Sequence, residues 1–296
     1  MYSEITSNKR KSVLLAMIFI AVIIGIGYVY SRATGDQTYG GVAIAIIISL
    51  VMTAVSYFHG DKIALYTSGA KAIGKEESPY LYRLVENLCI TSGTPTPKIY
   101  IIEDPAINAF ATGRKPELAS VAVTRGAIEK LENEELEGVL AHEMSHVKNY
   151  DIRFMTLVAV LVGSISILAS IFRNRLFFGG RRDNREGGNQ LTGILMIVGV
   201  VLMILSPLIA ELIKLAISRR REYLADASGS LLTRYPEGLA KALEKIAAQN
   251  LPMKQASQAT AHLFLASPFQ GKSLKSLFST HPPIEERIKR LRTMGV

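Results

Sequence analysis

At 296 residues the chain is long enough to bury a sizeable core without covalent help, and its single cysteine, Cys89, excludes both an intramolecular disulfide and a metal site built on several thiolates. A formal net charge of +9 accompanies a hydrophobic fraction of 49%, and no nucleic-acid motif and no tryptophan are present. The basic excess therefore reads as Lys and Arg flanking apolar segments and facing anionic lipid, with no nucleic-acid partner.

Lys9, Arg10 and Lys11 lead into an apolar run from Val13 to Tyr30, and a second run follows from Gly40 to Phe58. Neither contains Asp, Glu, Lys or Arg, and both approach the about 20 residues that a helix needs to cross a bilayer. No small-residue cleavage pattern follows Tyr30, so the first run reads as a retained signal anchor. The loop from Ser31 to Tyr39 carries only Arg32 and Asp36, against the basic tail before Val13. By the positive-inside rule, the N-terminus and the chain after Phe58 are expected in the cytoplasm.

Pro79 to Thr91 reads as an amphipathic helix on Leu81, Leu84, Val85 and Leu88, closed by Gly93, Pro95 and Pro97. Cys89 within it reads as a small buried apolar side chain. Lys98 to Glu103 and Ser120 to Thr124 read as strands, and Glu134 to Asn149 as a helix. A third apolar run, Met155 to Phe172, and a fourth, Leu191 to Ala210, flank the basic segment from Arg173 to Gln190. Crossing of the membrane by both would place that basic segment outside, against the positive-inside rule. Both cross or neither does, because the candidate ligands on either side must share a compartment; the length of the runs favours crossing. Helix resumes at Ser218.

His142-Glu143-Met144-Ser145-His146 is an H-E-x-x-H sequence. Four residues of helix advance about 400°, so both imidazoles leave one face within reach of one ion, with Glu143 beside them to act on a metal-held water. A catalytic zinc site needs a third protein ligand and one open position. His59, at the end of the second run, and His262, in an apolar stretch, read as structural or interfacial residues. That leaves an acidic ligand attractive. Glu222 is one candidate, with Asp226 one turn on, although alone it reads more readily as an exposed salt-bridging side chain. Asp226 would suit a carboxylate that accepts the free ring N–H of a ligating histidine.

Together with Asn108-Ala109-Phe110-Ala111-Thr112-Gly113-Arg114 upstream and Thr280-His281-Pro282-Pro283-Ile284-Glu285-Glu286-Arg287-Ile288 near the C-terminus, these residues resemble the HtpX family of membrane-bound zinc endopeptidases. The resemblance runs from about Pro79 onward. It implies an α+β, mainly helical, zincin-like integral membrane metalloprotease with four hydrophobic helices and a small strand region. It implies one zinc ion per subunit on His142, His146 and Glu222, with Glu143 as base. His281 and Arg287 are its candidate donors to the oxyanion, and Asn108, Ala109, Phe110 and Ala111 its candidate substrate segment, which would take a peptide by strand addition. The expected layout is a two-helix anchor over 1–59, protease domain over 60–153 and 214–296, and a hydrophobic hairpin over 154–213. The implied activity is cleavage of misfolded or damaged membrane proteins at the cytoplasmic face of the cell membrane, in quality control and stress response. Related prenyl-protein endopeptidases share the ligand pattern but have more spans than this length allows. A scaffold holding a purely structural metal would have no use for Glu143.

Overall fold

The computed structural model describes residues 2–35, 37–178, 218–249, 251–257, 259–269 and 282–294. The fourth apolar run and His281 lie outside the described residues. Two long helices open the chain, α1 (Tyr2–Thr34) and α2 (Gly40–Thr67). They approach closely at Gly27, where an added Cβ would lie 2.6 Å from the Gly41 carbonyl oxygen, closer than any side chain tolerates. Their outer faces expose Val13, Leu14 and Met17 on α1 and Ile44, Ile47, Leu50 and Phe58 on α2. Within the apolar stretch of each, only 28% and 17% of residues are buried. A core helix would be covered on most sides, so these helices are suited to lipid rather than to a protein interior.

From α2 the chain turns at Gly69 (φ +68°) into a four-stranded sheet. Its strands are β1 (Ala70–Ala72), β2 (Lys98–Ile102), β3 (Ala109–Thr112) and β4 (Ser120–Thr124), in the order β1-β2-β4-β3. β2 and β4 are parallel, while β1 and β3 run antiparallel on the two edges. Residues 109–112, part of the segment between the two strands expected from the sequence, form the edge strand β3, buried on both faces with no alternation to reveal it.

Helix α3 (Pro79–Ser92) starts with proline in its first turn and stops at Gly93 in the left-handed region (φ 68°). Short α4 (Arg125–Lys130) follows β4, capped by the Thr124 hydroxyl accepting from the Ala127 N–H at 3.2 Å. Next comes α5 (Asn133–Lys148), opened by a reciprocal capping box between Glu132 and Glu135. It is the centre of the fold. Leu136, Val139, Leu140 and Val147 pack with Leu81, Val85 and Leu88 of α3 and with Ile99, Ile101, Val121 and Val123 of the sheet.

Tyr150, at φ 60°, breaks the chain between α5 and α6 (Asp151–Phe178), which carries the third apolar run. The first half of α6 packs Phe154, Val158, Leu161 and Val162 against Leu15, Phe19 and Ile23 of α1. Further along the chain, α7 (Arg219–Thr233), α8 (Pro236–Gln249) and α9 (Ile284–Thr293) close over α5. Glycines permit two close approaches to α5. A Cβ at Gly138 of α5 would lie 2.7 Å from the Leu239 backbone nitrogen, and one at Gly229 of α7 would lie 3.0 Å from that of His142.

Candidate metal centre

The helical spacing of α5 sets His142 and His146 side by side, and α7 brings Glu222 against them from a distant part of the chain. The two Nε2 atoms are 3.2 Å apart, and Glu222 oxygens lie 3.8 Å from Nε2 of His142 and 3.6 Å from Nε2 of His146. A tetrahedral zinc site with bonds of about 2.0 Å has donor atoms about 3.3 Å apart, so this set fits such an ion. All three residues are buried. Among the described residues they form the one group of this kind that could hold a metal.

Both imidazoles present Nε2 because Nδ1 is engaged elsewhere. His142 Nδ1 lies 2.9 Å from Asp226, as the i+4 spacing from Glu222 suggested, and His146 Nδ1 lies 3.0 Å from Asp151. These carboxylates fix the tautomer that leaves Nε2 free for a metal. Asp151 escaped the sequence reading: it sits past the Tyr150 break, in the first turn of α6. It is held in turn by Asn8 of α1, whose side-chain amide donates to Asp151 at 2.7 Å and to the Asn149 carbonyl at 3.0 Å. The only sequence signal was an acid five residues after His146. Nothing local pointed to Asn8.

Arg287, on α9, is fully buried and donates through Nε and Nη2 to both oxygens of Asp226, at 2.9 and 2.7 Å. Its Nη1 donates to the Leu265 carbonyl at 3.3 Å and lies 3.6 Å from Glu222. The expectation of an oxyanion donor thus meets a guanidinium whose hydrogens point at the site's own carboxylates. In this geometry Arg287 positions Asp226, and through it His142.

The electrostatics follow from burial and these partners. Burial lowers the pKa of His142, against the pull of Asp226. Burial also opposes charge on His146, but the Asp151 bond and the nearby carboxylates outweigh it and raise its pKa to about 9. Burial would raise Asp226, yet the Arg287 charge holds it below the usual carboxylate range. Glu143, buried beside the ligands, is pushed up to about 7, chiefly by desolvation. A carboxyl at that level gives and takes protons near neutral pH.

The backbone of Ala111 in β3 faces the Glu143 carboxyl. The Asn108 carbonyl accepts from the Thr124 N–H at 3.0 Å, so strand alternation turns Phe110 and Thr112 towards β4 and Ala109 and Ala111 away from it. Ala109 is already engaged, its carbonyl accepting from the Leu265 N–H at 2.9 Å. The Asn108 side chain donates to the Ala266 carbonyl at 3.0 Å, and the Phe110 ring is buried edge-on against Phe264, 4.9 Å between centroids. Of the four residues expected to meet substrate, Ala111 is the one whose outward edge adjoins Glu143. His262 is buried, with Nε2 3.0 Å from the Met155 carbonyl, and His59 is exposed on α2; neither joins the centre.

The profile of Peptidase family M48 matches residues 75–295, which include the ligand set and every supporting residue but Asn8. The chain belongs to peptidase family M48. The "Protease HtpX homolog" of Dictyoglomus turgidum (strain DSM 6724 / Z-1310) is 46% identical over 295 residues, covering 99% of this chain and 95% of that protein. A protein of the same description from Tropheryma whipplei (strain Twist) is 43% identical over 295 residues, covering 100% and 99%. The crystal structure of S. mikatae Ste24p matches in fold with a TM-score of 0.51 at 20% identity, spanning 98% of this chain and 66% of that one. With its two lipid-suited helices and its His-His-Glu group, this M48 chain is a membrane-associated metalloprotease.

Proposed function

We propose that this metalloprotease is a zinc endopeptidase that cleaves misfolded or damaged membrane proteins at the cytoplasmic face of the cell membrane, in quality control and stress response. The observation that carries the reading is the convergence of His142, His146 and Glu222 within 4.8 Å of one another, with Glu143 buried beside them and poised near pH 7. A donor set of two imidazoles and one carboxylate suits zinc. When bound, zinc would supply a Lewis acid and acidify a water held at its open position.

The chain's own residues supply the rest. Glu143 takes the proton of the attacking water and passes it to the leaving amine. Asp226 and Asp151 hold the imidazoles, and Arg287 holds Asp226. The outward edge of β3 at Ala111, beside Glu143, would take an extended peptide through backbone hydrogen bonds, which favours unfolded chains over any particular sequence. His281 is the candidate donor to the oxyanion. The cytoplasmic assignment rests on a contact: Asn8 of α1 touches the centre, so the site shares a side with the basic N-terminal tail of Lys9, Arg10 and Lys11.

The test is metal analysis and cleavage of an unfolded membrane protein by the purified chain and its Glu143→Gln form. The variant is expected to keep one zinc per chain and to lose activity about 10²–10⁴-fold. Normal cleavage by that variant, or a wild type that binds no zinc, would sink the reading.

A further inference from the structure

We propose that the inner end of the two-helix anchor holds an anionic phospholipid, its acyl chain lying between α1 and α2 and its phosphate meeting Arg153 and Arg114. The site goes beyond the peptidase reading and rests only on these helices lying in a bilayer. A cleft of about 350 Å³ opens there, walled by Val13, Met17 and Ile20 of α1 and by Leu50, Ala54 and Phe58 of α2. Val13 and Phe58 are the ends of the two apolar runs next to the basic tail, so this part of the cleft lies at headgroup depth. Arg153, Tyr57 and Leu157 line the cleft and also a polar recess beside it, which Ser56, Gly113 and Arg114 complete.

Two features of the recess point to an anion. Among the described residues, Arg153 and Arg114 have no acidic partner within 4 Å; their guanidinium groups rest on rings instead, Arg153 5.1 Å from Tyr57 and Arg114 4.9 Å from Phe58. Asp61 lines the same recess without pairing to either. Three buried polar atoms here also lack any hydrogen-bond partner: Arg153 Nε, Ser56 Oγ and Thr53 Oγ1. Buried polar groups are nearly always satisfied, so a cluster of unsatisfied ones beside two unpaired cations marks a place for an acceptor. A phosphate diester offers acceptor oxygens in the geometry that guanidinium groups match, and its chains fit the apolar cleft as no soluble anion would.

Native mass spectrometry of the delipidated full chain in detergent, titrated with phosphatidylglycerol or phosphatidylcholine, tests the assignment. Phosphatidylglycerol is expected to be retained in preference, and Arg114→Gln/Arg153→Gln to weaken that retention about tenfold or more. Arg153→Lys, which keeps the charge, should recover part of the loss. Ala16→Phe fills the cleft and leaves both guanidinium groups in place; it too should cut retention. Unfolding temperatures measured without added lipid establish that each variant is folded. Equal retention of the two lipids by the wild type, or undiminished retention of phosphatidylglycerol by either the glutamine or the phenylalanine variant, overturns the proposal. Bound lipid is read without any peptide cleavage, so failure here and failure of the peptidase reading are separate results.

Discussion

Asp151 and Asp226 each decide which nitrogen a histidine offers to the metal, and neither touches the metal position itself. Partners of this kind typically carry 10–100-fold in metal affinity, and Asp151→Ala is expected to weaken zinc binding by about that factor in competition with a chelator. Asn8→Ala should give a smaller loss in the same direction, since it removes only the group that steadies Asp151. Arg287→Lys is a sharper probe of the clamp. A single ammonium cannot match the two parallel bonds to Asp226, so zinc affinity should fall although the charge is kept. Unchanged affinity in Arg287→Lys would argue against a positioning role. The two histidines and Glu143 were legible because one helix fixes their relation. Glu222 needed the downstream pattern, and the Asn8 and Arg287 contacts, spanning 143 and 61 residues, have no local signal at all.

Helix α5 shows how an element can be plain in sequence while its surroundings are not. Its capping acids and apolar spacing announce it, and Cys89, read as a buried small side chain on α3, is buried there. What covers α5 depends on two glycines that look unremarkable in the sequence. At Gly138 a methyl group would meet Leu239 backbone at 2.7 Å, with no flexible side chain to move aside. Gly138→Ala is therefore expected to destabilise by about 1–3 kcal/mol, despite alanine's better helix propensity, and to lower the unfolding midpoint by several degrees. A midpoint at or above that of the wild type would show that α8 yields more easily than its packing implies. Strand β3 is the opposite case, hidden in sequence because four small and aromatic residues buried on both faces carry no period.

At the scale of the molecule, the metal position joins α5 to α7, two helices far apart in the chain. Three ligands from two segments 76 positions apart, counting from His146 to Glu222, make a bound ion a clasp between those two helices. A ligand that binds only the folded state adds stability in proportion to the logarithm of its saturation, about 4 kcal/mol at a thousandfold excess over its dissociation constant. Chelation is thus expected to lower the unfolding midpoint and to speed digestion by an added soluble protease, in the Glu143→Gln form as in the wild type. Equal protease resistance with and without zinc would remove the clasp from the account while leaving the chemistry intact.

The sequence by itself determined the class of the protein. Apolar runs long enough for a bilayer and an H-E-x-x-H on an amphipathic helix are local patterns that follow from helix geometry, and the resemblance to a known family added Glu222 with its acid one turn on. The tertiary structure decided the supports. It turned Arg287 towards Asp226, gave His146 its partner in Asp151, tied that partner to α1 through Asn8, and set the backbone of Ala111 against Glu143. Each of these is a meeting of residues distant in the chain, set by how α1, α6, α7 and α9 pack around α5, and packing is a property that no spacing along the sequence encodes.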